Sequence, residues 1–250
     1  GRPKIPCPKS ANVILVTGQS NAANHLLSFE YENKLHVNYF NGHCYVLENP
    51  VLGATGGPDL LIPVGASKLT SKSPFLSATG EGVYTNSSVV PAIASKLTSK
   101  SPYIFLTTGW GGTSIRRWSM DNSEVSGYTN YHLKRLEKLG SKLSAVVWIH
   151  GEADANTKID YKSHFYKMKT KLLQGLNSKQ DVKFVVTQTS RCHHERDKKL
   201  NEQQLQLGND KNVYVTEVTD NLDNSFRFDG CHFNELGTEA VATAISSALN

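Results

Sequence analysis

The stretch Val13–Asn21, VILVTGQSN, decides how this chain is interpreted. Val13–Thr17 has the length and the β-branched, apolar composition of a buried strand, and the run stops at Gly18. Polar residues at the carboxyl end of a first parallel strand lie where open α/β sheets bind their ligands. Ser20 is therefore the first candidate for catalysis, although serine and asparagine are also common helix N-caps.

Further runs repeat this strand pattern along the chain. They are Tyr103–Thr108, Ala145–His150, Val182–Gln188 and Asn212–Glu217. Segments of helical periodicity follow three of these runs: Tyr161–Leu176, Glu195–Leu207 and Glu235–Leu249. Strands that alternate with helices indicate βαβ units and a parallel sheet covered on both faces. We predict an α/β fold, a three-layer α/β/α sandwich whose flavodoxin-like parallel sheet has about five strands.

Length and composition suit one domain. The 250 residues, 38% hydrophobic and 20% charged, can bury a full core. The sequence ASKLTSKSP occurs at Ala66–Pro74 and again at Ala94–Pro102, which is too few copies for a solenoid. We predict a single domain over residues 1–250, with a loop-rich internal duplication around residues 52–103. One copy is expected to form the helix that enters the second strand, and the other an insertion at the sheet edge.

Several classes of protein are excluded by composition. No apolar run approaches the roughly 20 residues that span a bilayer, so we expect no membrane insertion. The net charge of +5 permits an anionic substrate, but the basic residues are not clustered, and we predict no nucleic-acid partner. The chain begins at Gly1 without a signal peptide, and we expect a mature or trimmed protein that is secreted or periplasmic. Oligomeric state has no signal in the sequence.

The four cysteines, Cys7, Cys44, Cys192 and Cys231, contain no CxxC pair, which disfavours a zinc ribbon or a thioredoxin-type site. Four free thiols and two disulfides are both compatible with this count. Cys192 follows the fourth predicted strand, and Cys231 lies between Asp229 and His232 in the loop after the fifth. Both are therefore expected near the same edge of the sheet. We predict a Cys192–Cys231 disulfide, with Cys7–Cys44 as the second.

A glycine-rich turn and an Asp-His loop follow other strands. Gly111-Gly112 exposes backbone N–H groups that suit an oxyanion, although Gly-Gly pairs also form plain turns. Asp229 stands three residues before His232, so its carboxylate can hold the imidazole in one tautomer while the ring faces Ser20. The alternative is that Asp229 caps a turn and His232 is a solvated loop residue. Because the carboxyl ends of parallel strands meet at one edge, we predict that these groups share one cleft.

The motif His150–Asp154, HGEAD, follows the third predicted strand and carries three potential metal ligands at alternate positions. The pair His193-His194 follows the fourth strand. A metal site needs at least three ligands in matching geometry, and nothing in this spacing makes the side chains converge. We therefore predict neither a metal site nor another cofactor.

Together these motifs resemble the SGNH hydrolase superfamily. Within it they resemble the carbohydrate-esterase branch that includes acetylxylan esterases of carbohydrate esterase family six and sialate O-acetylesterases. The matching motifs are Gly18–Asn21 (GQSN), Gly111–Ile115 (GGTSI), His150–Asp154 (HGEAD) and Asp229–Gly237 (DGCHFNELG). The resemblance implies a flavodoxin-like fold and metal-independent ester hydrolysis. It implies Ser20 as nucleophile, His232 as base and Asp229 as its orienting partner.

The resemblance also implies an oxyanion hole, made by the backbone N–H of Ser20, the Gly111-Gly112 turn and a side chain of the third motif. His150 stands where this branch usually has glutamine. A neutral imidazole has one N–H and can donate as an amide does, so we predict His150 as the third oxyanion donor. Three neighbouring polar residues are expected to bind substrate: Gln19, Asn21 and Glu152.

The predicted function is that of a serine esterase that hydrolyses O-acetyl esters on a carbohydrate, either an acetylated polysaccharide or sialic acid. An acetylated carbohydrate is the expected binding partner. The alternatives are another SGNH ester hydrolase, such as a lipase, thioesterase or peptidoglycan O-acetylesterase, and a carbohydrate-binding relative without turnover. The presence of Ser20, Asp229 and His232 argues against a binding protein without turnover.

Overall fold

The computed structural model of the chain describes residues 3–27, 31–33, 35–54 and 85–250. Its strands are β1 (Lys4–Ile5), β2 (Asn12–Gly18), β3 (Leu26–Leu27), β4 (Val37–Phe40), β5 (His43–Val46), β6 (Thr85–Ser87), β7 (Ile104–Thr107), β8 (Lys142–Ile149), β9 (Lys183–Gln188) and β10 (Val213–Val218). Its helices are α1 (Val90–Ser95), α2 (Ile115–Ser119), α3 (Glu124–Lys138), α4 (Tyr161–Leu172), α5 (Lys198–Gln206) and α6 (Glu235–Leu249). The first copy of the repeat, at 66–74, lies outside the described residues.

A mostly parallel sheet forms the centre of the fold. Within the described residues it has eight strands, in the order β1-β5-β4-β7-β2-β8-β9-β10. The strands predicted from the sequence are adjacent, as β7-β2-β8-β9-β10, and each is parallel to its neighbours. Numbered along the chain, these five run 2-1-3-4-5, which is the flavodoxin order. The α/β class is confirmed, whereas the expected number of about five strands is wrong.

Short strands extend the sheet beyond β7. β4 is parallel to β7, β5 is antiparallel to β4, and β1 is antiparallel to β5. Asn41 and Gly42 turn the chain between β4 and β5 with φ of 47° and 86°. Asn-Gly is a strong hairpin signal that the sequence interpretation did not use. The strands themselves escape a search for periodicity because none exceeds four residues.

Three helices correspond to predicted ones. α6 has the predicted bounds, whereas α4 ends at Leu172 and α5 begins only at Lys198. Gly175, with a φ of 75°, follows the end of α4, and the carboxylate of Asp197 caps α5 by accepting from the Leu200 N–H at 3.1 Å. Helices α2 and α3 were not predicted. The second copy of the repeat supplies only the last two residues of α1.

Helices cover both faces of the sheet. Val13 and Leu15 of β2 pack in the core under α2 to α5, whereas Ile14 and Val16 pack in the core under α1 and α6. Burial on both faces explains why the central strands are continuous apolar runs. Because these strands are parallel, the loops after β2, β7, β8 and β9 meet at one edge of the sheet.

Both predicted disulfides are present, so the predicted pairing is confirmed. Cys7–Cys44 joins the segment before β2 to β5, and Cys192–Cys231 joins the loop after β9 to the Asp-His loop before α6. Among the helices in the described ranges, none combines the length and the apolar character needed to span a membrane.

Candidate active site

Ser20 lies in a tight turn at the end of β2. Gly18 has a φ of 135°, and a Cβ at this position would lie 2.0 Å from the carbonyl oxygen of Ile149 on β8, so only glycine fits. The N–H of Gln19 donates to the same carbonyl at 3.1 Å. A short 3₁₀ turn, Ser20–Ala22, follows. The close packing against β8 holds Ser20 at the carboxyl edge of the sheet.

The Asp-His turn, Asp229–His232, is closed by its own carboxylate. Asp229 Oδ1 accepts from the backbone N–H groups of Cys231 and His232 at 2.9 and 2.7 Å, and Oδ2 lies 2.6 Å from His232 Nδ1. Burial raises the pKa of Asp229, but the hydrogen bonds from His232 and Cys231 outweigh burial and hold this pKa below its ordinary value. An ionised carboxylate can only accept, so Nδ1 carries the ring proton. Asp229 thus both closes the turn and holds the imidazole.

Ser20 and His232 are in hydrogen-bond contact although 212 residues separate them in the sequence. His232 Nε2 lies 2.8 Å from Ser20 Oγ. With the ring proton on Nδ1, Nε2 accepts the hydrogen bond from the serine hydroxyl. A hydroxyl, an imidazole and a carboxylate are therefore linked in series. Such a series can take the hydroxyl proton as the oxygen attacks an electrophile.

Arg227, which the sequence interpretation missed, supports the Asp-His turn. Its buried guanidinium donates to the carbonyl oxygens of Cys231 at 2.6 Å, Thr219 at 3.0 Å and Leu222 at 3.0 Å. The Cys192–Cys231 disulfide holds the same turn to the loop after β9. One side chain and one disulfide thus tie an irregular loop to its surroundings. The sequence signal for Arg227 is its position between two phenylalanines, an apolar setting for a charged residue.

The Gly111-Gly112 turn lines the same cleft as Ser20. It begins directly after Trp110, whose N–H donates to the Gly18 carbonyl at 2.9 Å. Gly112 has a φ of 68°, and a Cβ there would meet nothing within 4 Å. Glycine is therefore favoured at Gly112 by the backbone conformation and not by lack of space.

Two polar side chains connect the third motif with the neighbouring turns. The carboxylate of Asp154 accepts from the Ile115 N–H at 2.7 Å and from the Ser114 hydroxyl, so it holds the residues just after the Gly-Gly turn. Gln19 Oε1 accepts from the Ala153 N–H at 3.1 Å. Gln19 also lines the cleft. Its carbonyl end is thus committed to the protein while the side chain borders the space where a substrate would bind.

Asn21 and Glu152 form a buried hydrogen bond. Asn21 Nδ2 donates to Glu152 Oε1 at 2.8 Å, and Asn21 Oδ1 accepts from the Phe233 N–H at 3.4 Å. Asn21 is fully buried. It therefore does not line the cleft, contrary to the prediction that it binds substrate. Its polar atoms instead join the first motif to the third and the last. Glu152 lines the cleft, and among the described residues its Oε2 is buried without a hydrogen-bond partner.

His150 is not placed as predicted. Its fully buried ring stacks on Trp148, with Nε2 2.6 Å from the Thr113 carbonyl oxygen and Nδ1 2.8 Å from the Tyr161 hydroxyl. Burial lowers the pKa of His150 more than the carboxylate of Asp154 raises it, so the ring is neutral. Its single N–H donates to Thr113, because a carbonyl can only accept. No donor remains for an oxyanion, so His150 instead positions the Gly-Gly turn through Thr113.

An open cleft of about 680 Å³ lies around these groups. Its lining includes residues predicted from the sequence, Gln19, Ser20, Gly111, Gly112, Glu152 and His232, and residues outside that prediction, His25, Ala153, Cys192 and His194. The ring of His25 stacks on that of His232, with centroids 5.4 Å apart, and the ring of Phe228 is stacked at 6.1 Å. These contacts restrict the orientation of the imidazole.

Within the described part of the chain, Cys192, His193 and Cys231 bring ligand atoms close together. The two sulfurs are joined to each other, so neither is a thiolate that can bind a metal. The candidate ligands of the third motif each hydrogen-bond a different protein group.

Comparison with solved structures shows the fold. The chain is similar to a protein of Arabidopsis thaliana, whose X-ray structure aligns with a TM-score of 0.64 over 96% of this chain and 98% of that chain, at 14% sequence identity. A structure of a peptidoglycan O-acetylesterase aligns over 59% of this chain and 46% of that chain, with a TM-score of 0.43 and 13% identity. A search of curated protein sequences found no match.

A family model identifies the chain more specifically. The model described as carbohydrate esterase, sialic acid-specific acetylesterase, matches residues 84–249, more than half of the chain. The matched range contains the Gly-Gly turn, the third motif and the Asp-His turn, and Ser20 precedes it. The acetylxylan esterases, expected beside this group from the sequence, stay a prediction. The chain belongs to the carbohydrate esterase family of the sialic acid-specific acetylesterases.

Proposed function

We propose that this protein is a serine esterase that removes O-acetyl groups from a carbohydrate, an acetylated polysaccharide or a sialic acid. Ser20 is the nucleophile, His232 the general base and Asp229 the residue that orients the imidazole. The observation that carries the proposal is the series of hydrogen bonds from Ser20 Oγ to His232 at 2.8 Å and from His232 to Asp229 at 2.6 Å. Membership in a carbohydrate esterase family supports the substrate class.

The reaction follows from this geometry in two halves. Ser20 Oγ bonds to the acetyl carbonyl carbon while its proton passes to His232 Nε2. The ester C–O bond then breaks, and His232 returns the proton to the departing sugar oxygen. Water attacks the acetyl-Ser20 ester, gives a proton to His232, and releases acetate as Ser20 regains its proton. Asp229 remains ionised throughout and stabilises the imidazolium that forms in each half.

The oxyanion hole in this proposal is built from backbone N–H groups of Ser20 and the Gly111-Gly112 turn. These residues line the cleft together with His232. The positive φ of Gly112 supports the role, because a turn of this kind directs peptide N–H groups into open space. His150 is excluded from the hole, since its N–H is used by Thr113.

Two side chains are suited to recognise a sugar. Glu152 borders the cleft, and its buried Oε2 lacks a partner among the described residues, so it becomes the acceptor for a sugar hydroxyl when substrate binding uncovers it. Gln19 is anchored through its carbonyl oxygen, which leaves its amide N–H₂ for the substrate. A carboxylate whose other oxygen is held by Asn21 is already oriented, so binding needs little reorganisation.

We further propose that the protein works in an oxidising compartment, as a secreted or periplasmic enzyme. All four cysteines are paired. Disulfides persist outside the cytosol, and they are rare where thiols are kept reduced.

The test is acetate release from acetylated xylan and from O-acetylated sialic acid, by the native protein and by Ser20→Ala. We expect the variant to lose about 10⁴-fold or more in kcat, because the oxygen that forms the acyl intermediate is gone. Circular dichroism and the thermal midpoint should stay native, since Ser20 contributes one small side chain. Near-native turnover by the variant would overturn the assignment of Ser20.

The same assays separate the alternatives. Nitrophenyl esters of increasing acyl length measure the preferred acyl chain. Faster hydrolysis of long-chain esters than of acetate esters would favour a lipase or a thioesterase. Acetylated peptidoglycan as the preferred substrate would identify a peptidoglycan O-acetylesterase. A serine-reactive phosphonate should label the native protein once, at Ser20, whereas a binding relative without turnover should stay unlabelled.

A further inference from the structure

A second pocket, of about 500 Å³, lies between α2 and α4. Two segments supply most of its lining. Helix α2 and the residue that follows it contribute Arg116, Ser119 and Met120, and α4 contributes His164, Lys167 and Lys171. None of its lining residues borders the cleft around Ser20. The proposed esterase chemistry uses no group in this α2–α4 pocket.

The charge of the α2–α4 pocket is positive. Arg116, Lys167 and Lys171 contribute three cations, and Asp121 is the acid in the lining. Asp121 lies 3.4 Å from Lys171 with its own side chain fully in solvent, a geometry in which ion pairing is weak. Among the described residues, Arg116 and Lys167 form no ion pair. At least two cations are therefore available to a ligand.

The inner wall of the α2–α4 pocket is polar. Ser119 is 4% exposed, and its Oγ lies 2.7 Å from His164 Nδ1. Burial, and then the cations Arg116 and Lys167, lower the pKa of His164, so the ring is neutral near neutral pH. The Ser119 hydroxyl has a second acceptor, the Arg116 carbonyl oxygen at 3.3 Å; when it donates to the closer Nδ1, the ring proton is on Nε2 and can be donated to a ligand. The half-exposed Met120 adds an apolar surface at the rim.

Helix α2 connects the α2–α4 pocket to the cleft. It starts directly after the Gly111–Ser114 turn and ends at Ser119. Its five residues span about 7.5 Å at 1.5 Å per residue. Asp154 holds the start of this helix by accepting from the Ile115 N–H.

We propose that the α2–α4 pocket binds the anionic group of an acidic saccharide, a carboxylate or a sulfate, on a unit some distance from the ester in the cleft. Arg116 and Lys167 supply the charge, and the Ser119–His164 pair supplies a neutral donor beside it. The link between this pocket and ester hydrolysis rests on the proposed function. The binding of the anion does not.

Binding is tested by calorimetry with saccharides that carry no acetyl ester, so that turnover cannot interfere. The probes are oligogalacturonate for carboxylate, a carrageenan oligosaccharide for sulfate, and xylo-oligosaccharide as the neutral reference. We expect one or both anionic probes to bind about tenfold or more tightly than the neutral one, from two charge-assisted contacts. Equal affinity for all three, or no binding of either anion, overturns the proposal.

Matched variants separate a built site from general charge. Arg116→Gln with Lys167→Gln removes two charges from the pocket, and Lys198→Gln with Lys199→Gln removes two from the exposed start of α5. We expect about a tenfold loss of anion affinity in the first pair and less than twofold in the second. Asp121→Asn should increase affinity slightly, because it removes the acid. Equal losses of anion affinity in both double variants would show that the anion is attracted by net charge alone. That result would overturn the proposed binding site.

Activity distinguishes failure of this inference from failure of the proposed function. With an acetylated acidic glycan, the Arg116/Lys167 double variant should show a raised KM, while its kcat on nitrophenyl acetate stays native. Ser20→Ala should bind the probes as the native protein does. If Ser20→Ala loses acetate release while the Arg116/Lys167 double variant keeps the native KM for the glycan, the proposed esterase function holds. The pocket would then play no part in the reaction.

Discussion

Ser20 and His232 reach the cleft from two differently built parts of the chain. Ser20 follows β2, a central strand with β7 and β8 on its two sides, and its turn is packed against the backbone of β8. His232 lies in an irregular segment between β10 and α6. That segment is held by separate contacts: the Arg227 guanidinium, the Asp229 carboxylate and the Cys192–Cys231 disulfide.

The positions of Ser20 and His232 depend on different kinds of interaction. The Ser20 turn is fixed by the same sheet bonds and core packing that make the fold, so its packing against β8 cannot be altered without a cost in stability. His232 is fixed by a few polar and covalent contacts, each of which can be removed while the sheet remains. Changes that disturb the packing of the Ser20 turn against β8 should therefore cost stability, whereas changes to the contacts that hold His232 should cost activity.

The largest effect is expected for Asp229→Asn on the loop side. An amide cannot hold the imidazole in the tautomer that accepts from Ser20, so kcat should fall about 10⁴-fold while the protein stays folded. Because the pKa of Asp229 is lowered in the fold, the native carboxylate adds stability above its unfolded pKa of about 3.9 and loses it as the pH falls through the lower folded value. Initial rates and urea unfolding across acidic pH measure both effects. A variant with native kcat would contradict the role of Asp229.

On the sheet side, Gly18→Ala should destabilise the protein by more than about 3 kcal/mol. The added Cβ would meet the Ile149 carbonyl oxygen at 2.0 Å, at a φ that L-residues rarely adopt. Gly112→Ala is the control, because it also has a positive φ but meets nothing within 4 Å, and we expect a cost of about 1 kcal/mol. Denaturant midpoints of the two variants measure both costs in stability. Equal costs would mean that packing against β8 does not hold the Ser20 turn.

The two disulfides offer a matched comparison of intermediate size. They close segments of similar length, with sequence separations of 37 for Cys7–Cys44 and 39 for Cys192–Cys231. Replacing either pair by serine should cost a similar amount, about 3–4 kcal/mol, through the unfolded chain. The Cys192/Cys231 double variant alone should also lose kcat, about tenfold, because Cys231 adjoins His232. Equal kcat in both variants would show that the disulfide does not position the base.

The smallest effect on catalysis is expected for His150→Gln. The ring bonds Thr113 and Tyr161 inside the core, so kcat on nitrophenyl acetate should stay within about threefold while stability falls by about 1–3 kcal/mol. Because burial lowers the pKa of His150, the native protein should lose stability as pH falls below about 6.5, and the variant less so. A hundredfold loss of kcat in His150→Ala, which unlike His150→Gln has no side-chain N–H, with no matching loss of stability, would restore His150 as an oxyanion donor.

Most of the fold was determined by the sequence alone. Strands buried on both faces are continuous apolar runs, so the five central ones could be identified, and their parallel order brings the motifs to one edge. The same reasoning predicted the Cys192–Cys231 disulfide, with Cys7–Cys44 as the remaining pair, and brought Ser20 and the Asp-His turn into one cleft. The hairpin of β4 and β5 was missed although Asn41-Gly42 marks it.

Only the tertiary structure decided which polar residues line the cleft and which are buried in the protein. Asn21 and His150 stand beside the candidate residues in sequence, yet both are fully buried, because strand ends carry some side chains into the core and others to the cleft. Arg227 was not predicted, because its carbonyl partners lie four to eight residues away in irregular turns, which no helix or strand periodicity marks. The sequence orders such groups along the chain, but burial and hydrogen bonding depend on what packs against them from elsewhere.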